Sequence, residues 1–177
     1  MITLDKVASP EYREQLQQMY DTESWSGGAA RYAFEVYWLM RLTHSQTVLD
    51  YGCGPGSLAN SLKAVRVMCR EFDPGIPGKA QMPSQADLVA CIDVMEHVEP
   101  DRLDMVLRHI YDLTGRAAFF LISTRSAEKR LPDGRNAHLI IDNGRWWYEK
   151  LLTLNWKVDA RPHPDPDNVK LWCRKDI

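Results

Sequence analysis

Apolar residues follow two different rhythms along this chain. In some stretches they return every three or four positions, and in others they form short unbroken runs. Behind Pro10, the residues Tyr12, Leu16, Met19 and Tyr20 keep helical intervals and predict a helix over 10–22. After a break at Trp25-Ser26-Gly27-Gly28, the residues Ala33, Val36, Tyr37, Leu39, Met40 and Leu42 predict a second helix over about 29–43. The rhythm then changes. Thr47–Asp50 reads as a strand, 57–64 as a helix and Val65–Phe72 as a second strand. Leu88–Ile92 is wholly apolar, which suits a strand covered on both faces of a parallel sheet. From Pro100 a helix carries Leu103, Val106, Leu107, Ile110 and Leu113 on one side, and Ala117–Ser123 is another buried strand. A polar loop over 124–137 leads to a helix over about 145–154. Trp156–Arg161 and Val169–Arg174 follow, joined by the proline-rich Pro162–Asp167 as an antiparallel pair. Alternating strands and helices predict an α/β fold in three layers, with a mostly parallel sheet closed by an antiparallel C-terminal hairpin.

One segment breaks the alternation. Residues 74–86 hold Pro74, Pro77 and Pro83 together with Gly75 and Gly78, a poor helix and a poor central strand. The sheet is therefore expected to be shortened there. A length of 177 residues with 45% hydrophobic content fits one domain over 1–177, with N-terminal helices over 1–44 and an α/β core over 45–177.

Charge and cysteine content narrow the picture further. The net charge of −2 offers no basic surplus for neutralising phosphates, so a nucleic-acid partner is not expected. The N-terminus lacks a basic start followed by an apolar run, and no apolar stretch has the length of a membrane span. Cys53, Cys69, Cys91 and Cys173 form no C-x-x-C pair. They read as reduced thiols of a cytoplasmic protein, and no metal site is expected. Oligomeric state is not legible.

The chemistry concentrates in Val48-Leu49-Asp50-Tyr51-Gly52-Cys53-Gly54-Pro55-Gly56-Ser57, where a strand enters a turn with glycine at every second position and a helix starts at once. Glycine is needed where the backbone must bend past what a Cβ permits or approach a ligand closely. A dinucleotide fingerprint would need glycine or alanine at Ser57, so the spacing argues against a nicotinamide cofactor. The glycines instead fall as G-x-G-x-G behind the acidic Asp50, and an acid at a strand end suits a cofactor bearing an amine.

The stretch DYGCGPG resembles motif I of class I S-adenosylmethionine-dependent methyltransferases, whose fold is Rossmann-like. The resemblance implies that Gly52, Gly54 and Gly56 pack against the methionine half of the cofactor and that Asp50 helps hold its amino group. Asp73, 23 residues on, would accept hydrogen bonds from the ribose hydroxyls, with Glu71 as the fallback. Asp93-Val94-Met95-Glu96-His97 resembles a segment that borders the methyl-transfer centre in small-molecule members, so Asp93 and Val94 are expected beside the cofactor. The family usually places a further helix and strand near 74–86, and this chain looks shortened by both. The DGRNAHL run with Trp146-Trp147 resembles small bacterial and phage methyltransferases. His138 is then the first candidate base and His97 the second, with Glu96-His97 as a solvated helix-entry turn the plainer alternative.

Arg125, Lys129 and Arg135 on the polar loop are candidates for drawing in an anionic substrate group, and Trp146 for walling its pocket. Trp25-Ser26-Gly27-Gly28 resembles a segment that closes over the cofactor. The implied reaction is methyl transfer from S-adenosylmethionine to a small metabolite, with the basic loop pointing to an anionic one. Two alternatives stay open: a methyltransferase of RNA or modified DNA, supported only by the basic loop, and a non-catalytic S-adenosylmethionine-binding module.

Overall fold

The structure, a computed structural model, describes residues 2–22 and 28–175. A one-turn helix α1 (Leu4–Val7) precedes α2 (Pro10–Thr22) and α3 (Ala33–Leu42). The chain then alternates as β1 (Val48–Tyr51), α4 (Ser57–Lys63), β2 (Cys69–Phe72), β3 (Ala86–Ile92), α5 (Leu103–Leu113), β4 (Thr114–Ser123) and α6 (Gly144–Leu152). It closes with β5 (Lys157–Arg161) and β6 (Asn168–Arg174). The six strands form one sheet in the order β2-β1-β3-β4-β6-β5. The first three neighbouring pairs are parallel, and β6 is antiparallel to both β4 and β5.

The apolar runs explain the three layers. Side chains alternate across a strand, so a strand covered on both sides must be apolar throughout. Val48, Leu88, Ala90, Ile92, Phe119 and Leu121 face α3 and α4, where Val36, Leu39, Leu58 and Leu62 are buried. Leu49, Val89, Cys91, Ala118, Phe120 and Ile122 face the other way, toward Val106, Leu107, Ile110, Trp147 and Leu151 of α5 and α6. Each fully buried aliphatic side chain stabilises this sandwich by about 1.5–3 kcal/mol.

Two boundaries differ from the pattern reading. β2 begins at Cys69 rather than Val65, because Arg66 takes a left-handed φ of 61° that turns the chain out of α4. β4 begins three residues before Ala117, directly at the end of α5. Between β2 and β3 the described chain forms only a short 3-10 turn at Pro77–Lys79, so the sheet is shortened where the prolines predicted.

This topology opens a crevice. After β1 the chain crosses to β2 on one side, and after β2 it crosses back over β1 to β3 on the other. The two connections diverge at the carboxyl ends of β1 and β3, the position where open α/β sheets collect ligands. Among the described residues, no helix is long and apolar enough to cross a membrane.

Candidate active site

The glycine turn forms one wall of the crevice. Gly52, Gly54 and Gly56 all take positive φ, at 78°, 51° and 93°. At Gly56 the left-handed backbone starts α4, and a Cβ would collide with Oε1 of Glu71. At Gly52 a Cβ would collide with the side chain of Val94, so the turn and the segment after β3 pack directly together.

Asp50 and Asp73 meet on this turn. The Asp50 side chain is buried on β1, and its Oδ2 has no hydrogen-bond partner. Burial, reinforced by the neighbouring Glu71 and Asp73, pushes its carboxyl up to about 7. Asp73 is better satisfied: Oδ2 accepts from Gly54 N at 2.9 Å and from the Tyr20 hydroxyl at 3.0 Å, and Oδ1 accepts from Gly75 N at 2.9 Å. Burial raises the Asp73 pKa, and these hydrogen bonds oppose the rise. Glu71, the alternative ribose acid, is paired with Lys79 at 2.8 Å, and Lys79 also donates to Gly54 O.

The second wall follows β3. Asp93 takes a left-handed φ of 54°, with its backbone N held by Leu121 O. Asp93, Val94 and His97 line the cleft together with Tyr12, Leu16 and Tyr20 of α2. Helix α2 covers the cleft and reduces its volume to about 80 Å³, well below the roughly 300–1,000 Å³ of typical ligand pockets.

Glu96 corrects the reading of this segment as a solvated turn. It is fully buried, with Oε1 accepting from Ser123 N at 2.9 Å and Oε2 without a partner. Burial, with Asp93 nearby, pushes its carboxyl up to about 8. His97 directs Nδ1 at Ala137 O (2.8 Å), and His138 directs Nδ1 at Arg125 O (2.6 Å). The two rings stand edge to face with centroids 4.7 Å apart. Burial, with His138 beside it, pulls the His97 imidazole down to about 4, so it is neutral at pH 7.

The polar loop is more ordered than its composition suggests. The Asn136 side chain brackets Ala127, accepting from its N and donating to its O, and also accepts from His138 N. Leu131 and Ala137 bury themselves against Ala8, Tyr12 and Met19, so the loop docks on α2 and presents His138 beside His97. Arg135 is held by an ion pair with Asp133 at 2.7 Å and is close enough to act electrostatically on the cleft residues Tyr12 and Glu99. The Arg125 side chain is exposed, and Lys129 is half-buried with its carbonyl holding Ala137 N.

Trp146 is placed away from the cleft. It lies on α6, edge-on to Trp147 and under Lys150, at the margin of the α5–α6 core. Of the expected closing segment, Trp25, Ser26 and Gly27 lie outside the described residues. A Cβ at Gly28 would stand 3.5 Å from Asp93 Oδ2. The pattern reading missed Tyr12 and Tyr20 as cleft residues, although two tyrosines on the apolar side of α2 were a usable signal.

A family model described as a methyltransferase domain matches residues 9–164. No curated protein matches the chain. Among solved structures, magnesium protoporphyrin IX methyltransferase (ChlM) from Synechocystis PCC 6803, with bound SAH, superposes with a TM-score of 0.64 at 15% identity. That match covers 97% of this chain and 100% of the other. The Burkholderia thailandensis 1,6-didemethyltoxoflavin-N1-methyltransferase, with bound 1,6-didemethyltoxoflavin and S-adenosylhomocysteine, gives 0.60 at 17% identity, covering 94% and 90%. A DhpI–SAH complex gives 0.56 at 18% identity, covering 97% and 96%. At these identities the likeness is one of fold.

Proposed function

The chain belongs to the methyltransferase-domain family, and on that premise we propose that it transfers a methyl group from S-adenosylmethionine to a small molecule bearing an anionic group. The observation that carries the reading is the meeting of two buried carboxylates on one glycine turn: Asp50, with an oxygen that no group satisfies, and Asp73, with a hydroxyl already on it. A buried unsatisfied carboxylate oxygen is costly, and a cofactor ammonium at Asp50 would satisfy it. The Tyr20 hydroxyl on Asp73 Oδ2 occupies the place a ribose hydroxyl would take. The residues therefore fit the cofactor, provided α2 yields.

When bound, S-adenosylmethionine supplies an electrophilic methyl on a sulfonium. The chain's own residues supply alignment. Asp50 would hold the ammonium and Asp73 the ribose, the Gly52–Gly56 backbone would receive the methionine half, and Asp93 with Val94 would form the facing wall. Orientation of this kind is worth up to roughly 7–11 kcal/mol of a barrier. His138, with His97 behind it, assists loss of the acceptor's proton. Arg125 and Lys129, on the loop that carries His138, draw in the anionic group. The acceptors named for the solved relatives, magnesium protoporphyrin IX and 1,6-didemethyltoxoflavin, support a small molecule.

Calorimetry with S-adenosylmethionine, S-adenosylhomocysteine and NADH tests the reading. The first two are expected to bind in the micromolar range and NADH not at all. Loss of a hydrogen bond to a charged group costs about 1.5–3 kcal/mol, so Asp73→Ala should weaken binding at least tenfold. Binding of NADH, or unchanged affinity in Asp73→Ala, overturns the assignment.

A further inference from the structure

The geometry points to a binding site for one first-row divalent cation of the zinc, cobalt or manganese class, held by Glu96, His97 and His138. Each of these residues offers a ligand atom, and the three atoms lie within 4.8 Å of one another. Tetrahedral ligands at about 2.1 Å from a metal stand roughly 3.4 Å apart, so a contraction of little more than about 1 Å closes the set on a cation.

Three features separate this cluster from a chance gathering of polar side chains. The first is the tautomer. A ring nitrogen facing a backbone carbonyl must carry the proton, so Nδ1–H of His97 is committed to Ala137 O and Nδ1–H of His138 to Arg125 O. Nε2 of each ring is then the lone-pair nitrogen. Metal-ligating histidines are held in this way, with the second nitrogen donating to a carbonyl that fixes the ring and raises its basicity. The second feature is Glu96, which is fully buried and pinned through Oε1 to Ser123 N, while Oε2 has no partner. Such an oxygen needs a proton or a cation. The third is position: His97 lines the cleft, and Asp93, which lines it too, is close enough to act electrostatically on both Glu96 and His138.

The donor set selects the ion. Two imidazoles with one carboxylate suit zinc and its first-row neighbours, whereas magnesium takes oxygen ligands and keeps its water. Three protein ligands leave at least one coordination position for a small ligand. On the methyl-transfer reading, that position receives the acceptor oxygen, and the histidines then favour loss of its proton through the cation's charge. This role rests on the proposed function, whereas the binding of the cation does not.

The test uses tag-free full-length protein, stripped with chelator and titrated with Co²⁺ alone. One equivalent is expected to bind and to develop visible d–d bands, Zn²⁺ should displace it, and Mg²⁺ should not. His138→Ala, on a partly exposed loop position, should lose at least tenfold in Co²⁺ affinity while keeping its circular dichroism and its S-adenosylhomocysteine binding. His163→Ala, outside the cluster, should bind Co²⁺ as the unchanged protein does. Absence of a saturable band, or equal Co²⁺ affinity in His138→Ala, overturns the site. A Co²⁺ site in a protein that binds no S-adenosylhomocysteine would sustain the cation and refute the methyl-transfer reading.

Discussion

On the proposed reading, the single buried carboxyl of Asp50 makes cofactor binding a function of pH. Its pKa is raised from 3.8 to about 7 by burial and by Glu71 and Asp73, so the acid is mostly neutral below pH 7 and ionised above it. An ammonium binds the ionised form. Affinity for S-adenosylmethionine should therefore rise from pH 5.5 to 7.5, by about tenfold for each unit below the folded pKa. Asp50→Asn should bind more weakly and lose this dependence, and calorimetry across the range checks both. The sign is opposite for the stability of the free protein. The unfolded carboxyl ionises near 3.8 and the folded one near 7, so this group's contribution is fully present below the first value and is lost as pH rises through the second. The acid, the glycines and Asp73 were all legible as single residues. The unsatisfied oxygen was not, because only the packing of β1 against its neighbours shows what reaches it.

Among the elements, α2 departs furthest from what its sequence announces. Its spacing predicts a helix and a buried face, and both are observed, with Tyr12 and Met19 buried. The spacing does not say that this face lies across the cleft. Leu16 and Tyr20 would crowd a Cβ at Gly75, and the Tyr20 hydroxyl sits on Asp73. On the proposed reading a nucleoside displaces that hydroxyl, whose bond to the Asp73 carboxylate contributes about 1.5–3 kcal/mol to holding the cleft shut. Tyr20→Phe is accordingly expected to bind S-adenosylhomocysteine at least tenfold more tightly. Weaker binding would mean that the hydroxyl serves the ligand rather than competing with it. The 124–137 loop teaches the same lesson. Its polarity was plain, but Leu131 anchoring the loop under α2 depends on neighbours brought up by the fold.

For the molecule as a whole, β4 is the axis on which stability turns. It pairs with β3 on one side and β6 on the other, and from Ala117 onward its residues are buried on both faces. Phe120 is fully enclosed by the α5–α6 layer. Removing such a ring leaves a cavity as well as losing its transfer energy, so Phe120→Ala should cost about 3–5 kcal/mol, read as a lower urea midpoint with unchanged m-value. A loss below about 1 kcal/mol would mean that the two layers are not a continuous core.

The order of strands and helices, the interruption at 74–86, the G-x-G-x-G turn and its acids were determined by the sequence alone, because each depends on local periodicity or on backbone freedom at one position. The closing of α2 over the cleft and the departure of Trp146 from it needed the tertiary structure. So did the gathering of Glu96 and His97 with His138, which lies on a loop some forty residues later. Ligand spacing within one element can be read from sequence, but a distance between two loops is set by the sheet that carries them.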